Sequence, residues 1–115
     1  MPYLAVSTNA ELSTEATNLF MQEASHAIAA GTGKPEQYVM VKLATGQPLL
    51  FAGTNEPTAL LEVKSIGFPA DGVEGIAASL SKLVSKYLHV HGERTYIVFE
   101  DVKAAMWGQG GEMFG

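Results

Sequence analysis

The chain has 115 residues, 47% of them hydrophobic and 17% charged, with a net charge of −5. An acidic balance with a single arginine, Arg94, excludes the basic stripe that nucleic acid requires, and the absence of cysteine excludes disulfides, thiol catalysis and thiolate metal sites. The length suits one domain with a single core, and its apolar content exceeds what so small a subunit hides, so self-association is expected.

Pro2 follows Met1 directly. Removal of Met1 leaves a proline whose nitrogen is a secondary amine, whereas every other proline nitrogen is an amide without a basic lone pair. Such an amine can act as a general base on a rigid ring. Tyr3 to Val6 then reads as a short apolar strand. Thr8, Asn9 and Ser13 offer capping groups, and Glu11 and Glu15 suit the positive end of a helix dipole. A helix is expected to about Ala30, with Leu12, Ala16, Leu19, Phe20, Ala27 and Ile28 on one face. Gly31 and Gly33 are expected to stop it, and Pro35 to prevent its resumption. Tyr38 to Leu43 reads as a strand, with Leu49 to Phe51 as a short edge piece.

The plan then repeats. Leu60 to Ile66 reads as a strand. Asp71 and Glu74 resemble a capping box. Val73, Ile76, Ala77, Leu80, Leu83, Val84, Tyr87 and Leu88 form the cleanest helical stripe in the chain, ended by Gly92. Thr95 to Phe99 is the fourth strand. The chain therefore reads as an α/β domain: two βαβ repeats, about 2–52 and 58–102, followed by a tail from 103 to 115. Crossover units join parallel strands, so one four-stranded sheet is expected with both helices on one face. Segments such as Leu4-Ala5-Val6 and Ile97-Val98-Phe99 are apolar on successive residues, so the second face also calls for a cover. A neighbouring subunit is the expected one. Trp107 and Phe114, in a glycine-rich tail, are expected to fold back as a lid or pack on a neighbour.

Other motifs carry less. Gly31-Thr32-Gly33-Lys34-Pro35 fails as a phosphate loop, because the earlier glycine and the Ser or Thr after the lysine are missing and the segment ends a helix. Taken alone, Lys34 reads as a helix-end cation. His89 and His91 have no acidic or thiol partner nearby in sequence to make a metal pair. His26 reads as a surface residue, and Glu62 with Lys64 as an exposed charge set. No basic and apolar leader opens the sequence and no run approaches a membrane span, so a cytoplasmic protein without a membrane partner is expected.

Four stretches agree with one family: Met1-Pro2-Tyr3-Leu4; Thr32-Gly33-Lys34-Pro35-Glu36-Gln37-Tyr38; Glu56-Pro57 followed by Ser65-Ile66-Gly67; and Tyr96-Ile97 before a tail bearing Trp and Phe. In this order and length the chain resembles the macrophage migration inhibitory factor family of the tautomerase superfamily. The resemblance implies a homotrimer with sheets forming a central barrel and sites at subunit boundaries. It implies a cofactor-independent keto–enol tautomerase, without a metal, acting on small aromatic 2-oxo acids such as phenylpyruvate. Pro2 would be the base. Lys34 would bind the substrate carboxylate and disfavour a proton on Pro2. Ser65, Ile66, Tyr96, Val98, Trp107 and Phe114 would line the substrate pocket, with Tyr96 from the adjacent subunit. The alternative the resemblance carries is a cytokine-like binding protein with vestigial activity, a receptor partner and export without a signal peptide.

The chain departs from animal members at several points. Thr58 and Leu61 stand where those carry Cys-x-x-Cys, which excludes thiol–disulfide chemistry. Val98 replaces a pocket asparagine and Phe99-Glu100 a pair of tyrosines. Each lost contact to a charged substrate costs on the order of 1.5–3 kcal/mol, so weaker activity with altered aryl preference is expected. A different reaction on small acids would call for a pocket arginine, for which only Arg94 is available.

Overall fold

A computed structural model describes residues 1–115. Strand β1 (Tyr3–Thr8) leads to helix α1 (Thr14–Thr32), a 3-10 turn at Glu36–Tyr38 and strand β2 (Met40–Ala44). The second half repeats this with β3 (Ala59–Ser65), α2 (Gly72–Leu83) and β4 (Thr95–Asp101). The tail forms a small hairpin of β5 (Gly108–Gln109) and β6 (Glu112–Met113). The sheet order is β2-β1-β3-β4. Each crossover joins parallel strands, β1 with β2 and β3 with β4, and the halves meet where β1 runs antiparallel to β3. The two-repeat plan expected from the sequence is the one observed.

Alternation decides the faces. Leu4, Val6 and Thr8 of β1, with Ala59, Leu61, Val63 and Ser65 of β3, are buried beneath the helices. They meet Phe20, Ala24 and Ile28 from α1, and Ile76 and Leu80 from α2. The opposite face is open: Met40 is 66%, Tyr96 61% and Val98 53% exposed. It is also more polar than the apolar runs suggested. Cross-strand rows read Met40–Tyr3–Lys64–Glu100 and Lys42–Ala5–Glu62–Val98.

Ser13 caps α1 through its hydroxyl, which accepts from the Ala16 N–H at 3.1 Å. The helix ends at Gly33, which takes a left-handed conformation at φ 71°. Gly31 does not stop α1 but lies inside it. A Cβ there would run into the Ile76 side chain, so this glycine lets the two helices approach. Leu19, expected on the buried face, is exposed. The proposed capping box is absent: Asp71 precedes α2 but makes no side-chain cap bond. Nor does Gly92 end the second helical segment. After Leu83 the backbone widens into a π turn, Val84–Leu88, which His89 terminates at φ 56°. Val84 and Leu88 nonetheless remain buried on the stripe begun by Ile76 and Leu80. The Tyr87 ring stands edge-on to Phe20 at 6.1 Å, and its hydroxyl donates to Glu23. Residues Leu49 to Phe51 form no edge strand; only an isolated bridge joins Phe51 to Thr54.

Candidate active site

The first two residues enter the sheet itself. The Met40 N–H donates to the Pro2 carbonyl at 3.1 Å, continuing the β1–β2 ladder to the end of the chain. The Pro2 side chain is fully buried. Beside it opens a cavity of about 900 Å³. Met1, Pro2 and Tyr3 form one wall, residues 37–43 another, and Trp107, Gly108, Gln109 and Phe114 a third. The tail thus folds back against the chain and supplies one wall of this cavity. The Phe114 N–H closes the hairpin on the Trp107 carbonyl at 3.0 Å.

Lys34 reaches this region because of how α1 terminates. Thr32 is buried and donates its hydroxyl to the Ile28 carbonyl at 2.6 Å. The same oxygen accepts the Lys34 N–H at 3.3 Å, and Gly33 supplies the reversal. Burial holds the terminal ammonium, here on Met1, below its ordinary value of 8.0, and the positive charge of Lys34 lowers it further. Both effects belong to the place where the chain begins, one residue from the Pro2 nitrogen.

Ser65 ends β3, on the other side of β1, and Ile66 follows in a bend, so the strand stops one residue short of its expected end. Ser65 is fully buried. The turn after it is fixed from β4. The Val102 N–H donates to the Ser65 carbonyl at 2.8 Å, and the Gly67 N–H donates to Asp101 Oδ1 at 3.0 Å. Gly67 sits at φ 80°, where a side chain would be strained.

Tyr96 and Val98 are not brought to Pro2 within one chain. Both lie on the open face. Tyr96 is at the far end of β4 from Asp101, its ring edge-on to Phe51 at 5.0 Å. Phe99 points the other way, into the core side, edge-on to Phe68 at 5.6 Å. Phe99 is thus not among the residues that wall the cavity within this chain. Sequence reasoning missed Tyr38, Met40 and Gln109 as cavity walls. The position of Tyr38 after Gly-Lys-Pro carried a signal; nothing local marked Gln109. The Asp101 clamp was also missed, since only the sheet register brings it beside Gly67.

Arg94 lies elsewhere. Its guanidinium donates to the carbonyls of Phe51, Thr54, Glu56 and Pro57 and stands over the Phe51 ring. It precedes β4, at the end of the sheet opposite Pro2, and is not among the residues that line this chain's cavity.

Mixed four-stranded sheets with this order, carrying two helices on one face, are the architecture of the tautomerase superfamily. A solved structure of this kind, the macrophage migration inhibitory factor homologue from Prochlorococcus marinus, superposes with a TM-score of 0.93 at 36% identity, covering 98% of this chain and 99% of that one. The family model Macrophage migration inhibitory factor (MIF) matches residues 1–115. Among curated proteins, the homolog from Brugia malayi is 34% identical over the full length of both chains, and the protein from Mus musculus 36% identical over 99% of each. The chain belongs to the macrophage migration inhibitory factor family.

Proposed function

We propose that this protein is a cofactor-independent keto–enol tautomerase of phenylpyruvate-like aryl 2-oxo acids. The family covers tautomerase and cytokine-like roles. The observation that favours the enzyme is the chain terminus: a buried proline at an apolar cavity, beside an amine whose proton affinity is lowered by burial and Lys34.

In this reading Met1 is removed and the Pro2 amine stands free and neutral. It takes a proton from the carbon next to the keto group. The electron pair of that C–H bond becomes the enolate double bond, and the ammonium returns the proton to the enolate oxygen. Lys34 holds the carboxylate. The aryl ring packs among Tyr38, Met40, Trp107 and Phe114. Three chains assemble through the open sheet faces, and Tyr96 and Val98 of a neighbour complete the pocket, with Ile66 at its border.

The test is phenylpyruvate ketonisation by the processed protein, with Met1 removal verified by intact mass. Pro2→Gly should lower kcat/KM by about a hundredfold or more, as expected for loss of a general base. Full activity in that variant overturns the reading. A cytokine-like protein with vestigial activity would instead bind a receptor ectodomain equally well with and without the substitution.

A further inference from the structure

Ser65 Oγ is the one buried side-chain polar atom without a hydrogen-bond partner. The residue is fully buried at the last position of β3. Tyr3 pairs with Lys64 in the antiparallel register, and one further step sets Pro2 across from Ser65. Directly opposed residues have Cβ atoms about 4.5–5.5 Å apart. Both side chains point to the same side. Pro2 continues the buried series of Leu4, Val6 and Thr8, and Ser65 that of Ala59, Leu61 and Val63.

With Met1 attached, the Pro2 nitrogen is a tertiary amide that neither donates nor accepts. A neighbouring hydroxyl then has nothing there to bond. Removing Met1 creates an N–H and a lone pair at that place. A buried hydroxyl without a partner is rare in folded proteins and calls for an explanation.

We propose that the Ser65 hydroxyl is the hydrogen-bond partner of the free Pro2 amine, accepting its N–H and thereby turning the lone pair toward the cavity. The assignment rests on the reading of Pro2 as the base. It makes Ser65 a positioning residue that acts through Pro2, not one that contacts substrate. When the amine takes the substrate proton it carries two N–H groups. One stays on Ser65, and the other faces the enolate oxygen to which the proton returns. Other titratable groups surround the terminus. Lys34 is close enough to act on the amine, and Tyr38 and Lys42 line the cavity. Tyr3, Lys64 and Glu100 lie on the open face, and Asp101 is engaged by Gly67. All stay constant in the comparison below.

The experiment uses processed full-length protein labelled with ¹⁵N-proline. The amine is titrated by NMR, and phenylpyruvate turnover is followed against pH, for wild type, Ser65→Ala and Ser65→Thr. An acceptor stabilises the ammonium, so its removal lowers the proton affinity of the amine. Ser65→Ala should shift the titration and the acid limb of kcat/KM down by about half a unit or more. It should lower kcat about tenfold with little change in KM. Ser65→Thr keeps the hydroxyl and should restore both. An identical titration in wild type and Ser65→Ala overturns the proposal, as does a rise in KM at constant kcat, which would put the hydroxyl on the substrate. The titration reads the amine whether or not the protein turns over. A moved titration beside a fully active Pro2→Gly variant would overturn the base and leave the contact standing.

Discussion

Lys34 illustrates how one side chain takes its role from placement. In sequence it is a cation after a helix; in space its charge bears on the chain's own terminal amine. That charge disfavours the ammonium, so in the proposed mechanism the neutral base would persist to lower pH than an isolated amine allows. Lys34→Ala removes the effect, and the amine's proton affinity rises toward its ordinary value. The acid limb of kcat/KM should then move to higher pH, and activity at a fixed pH below that limb should fall further than at alkaline pH. If Lys34 also holds the substrate carboxylate, as proposed, its loss should lower kcat/KM about ten- to a hundredfold, mainly through KM. Steady-state kinetics across pH separates the two effects. Arg94 makes the contrasting case. Four backbone carbonyls of the 51–57 loop already take its donors, which leaves its guanidinium bound to structure.

The two helices depend on a close approach at Gly31. Gly31→Ala adds helix propensity of about 0.5–1 kcal/mol but drives a methyl group into Ile76, and overpacking costs about 1–3 kcal/mol. The net effect should be a lower urea midpoint. The elements themselves were legible wherever hydrophobic period and a terminator agreed. β1 and β3 alternate cleanly, and α1 ends on a glycine free to adopt positive φ. Legibility failed where tertiary contact overrode local chemistry. Gly31 reads as a stop but serves packing. Asp71 and Glu74 have the spacing of a capping box without its bond. The π turn at Val84–Leu88 keeps the buried stripe intact, so the apolar pattern could not reveal it. At the candidate site, Pro2, Trp107 and Phe114 drew notice from residue type and place, whereas Lys34 read alone as a helix-end cation and entered only with the family resemblance. Gln109 and Asp101 drew no notice, because their relevance comes from tail folding and strand register.

The whole molecule leaves one sheet face uncovered. Its exposed Met40, Tyr96 and Val98 stand among Lys42, Glu62, Lys64 and Glu100, none of which has an ion-pair partner within the chain. A face that is both apolar and charge-complementary suits other copies of itself. Native mass spectrometry should give three times the 12.2 kDa chain mass. Val98 pairs across β3–β4 with Glu62, so Val98→Glu sets like charges side by side. That variant should dissociate toward the single-chain mass and lose turnover with it.

The position of β1 has a consequence for biosynthesis. Of the elements of the fold this strand is made first, yet it lies in the interior of the sheet between β2 and β3. Its antiparallel neighbour, from Ala59 to Ser65, is translated about fifty residues later, and such distant pairings slow folding. If Met1 is removed as proposed, the nascent chain exposes a nucleophilic secondary amine, able to form iminium ions with aldehydes, well before any enclosure exists to protect it. Reactive aldehydes met during that interval would find the amine more accessible than in the finished protein.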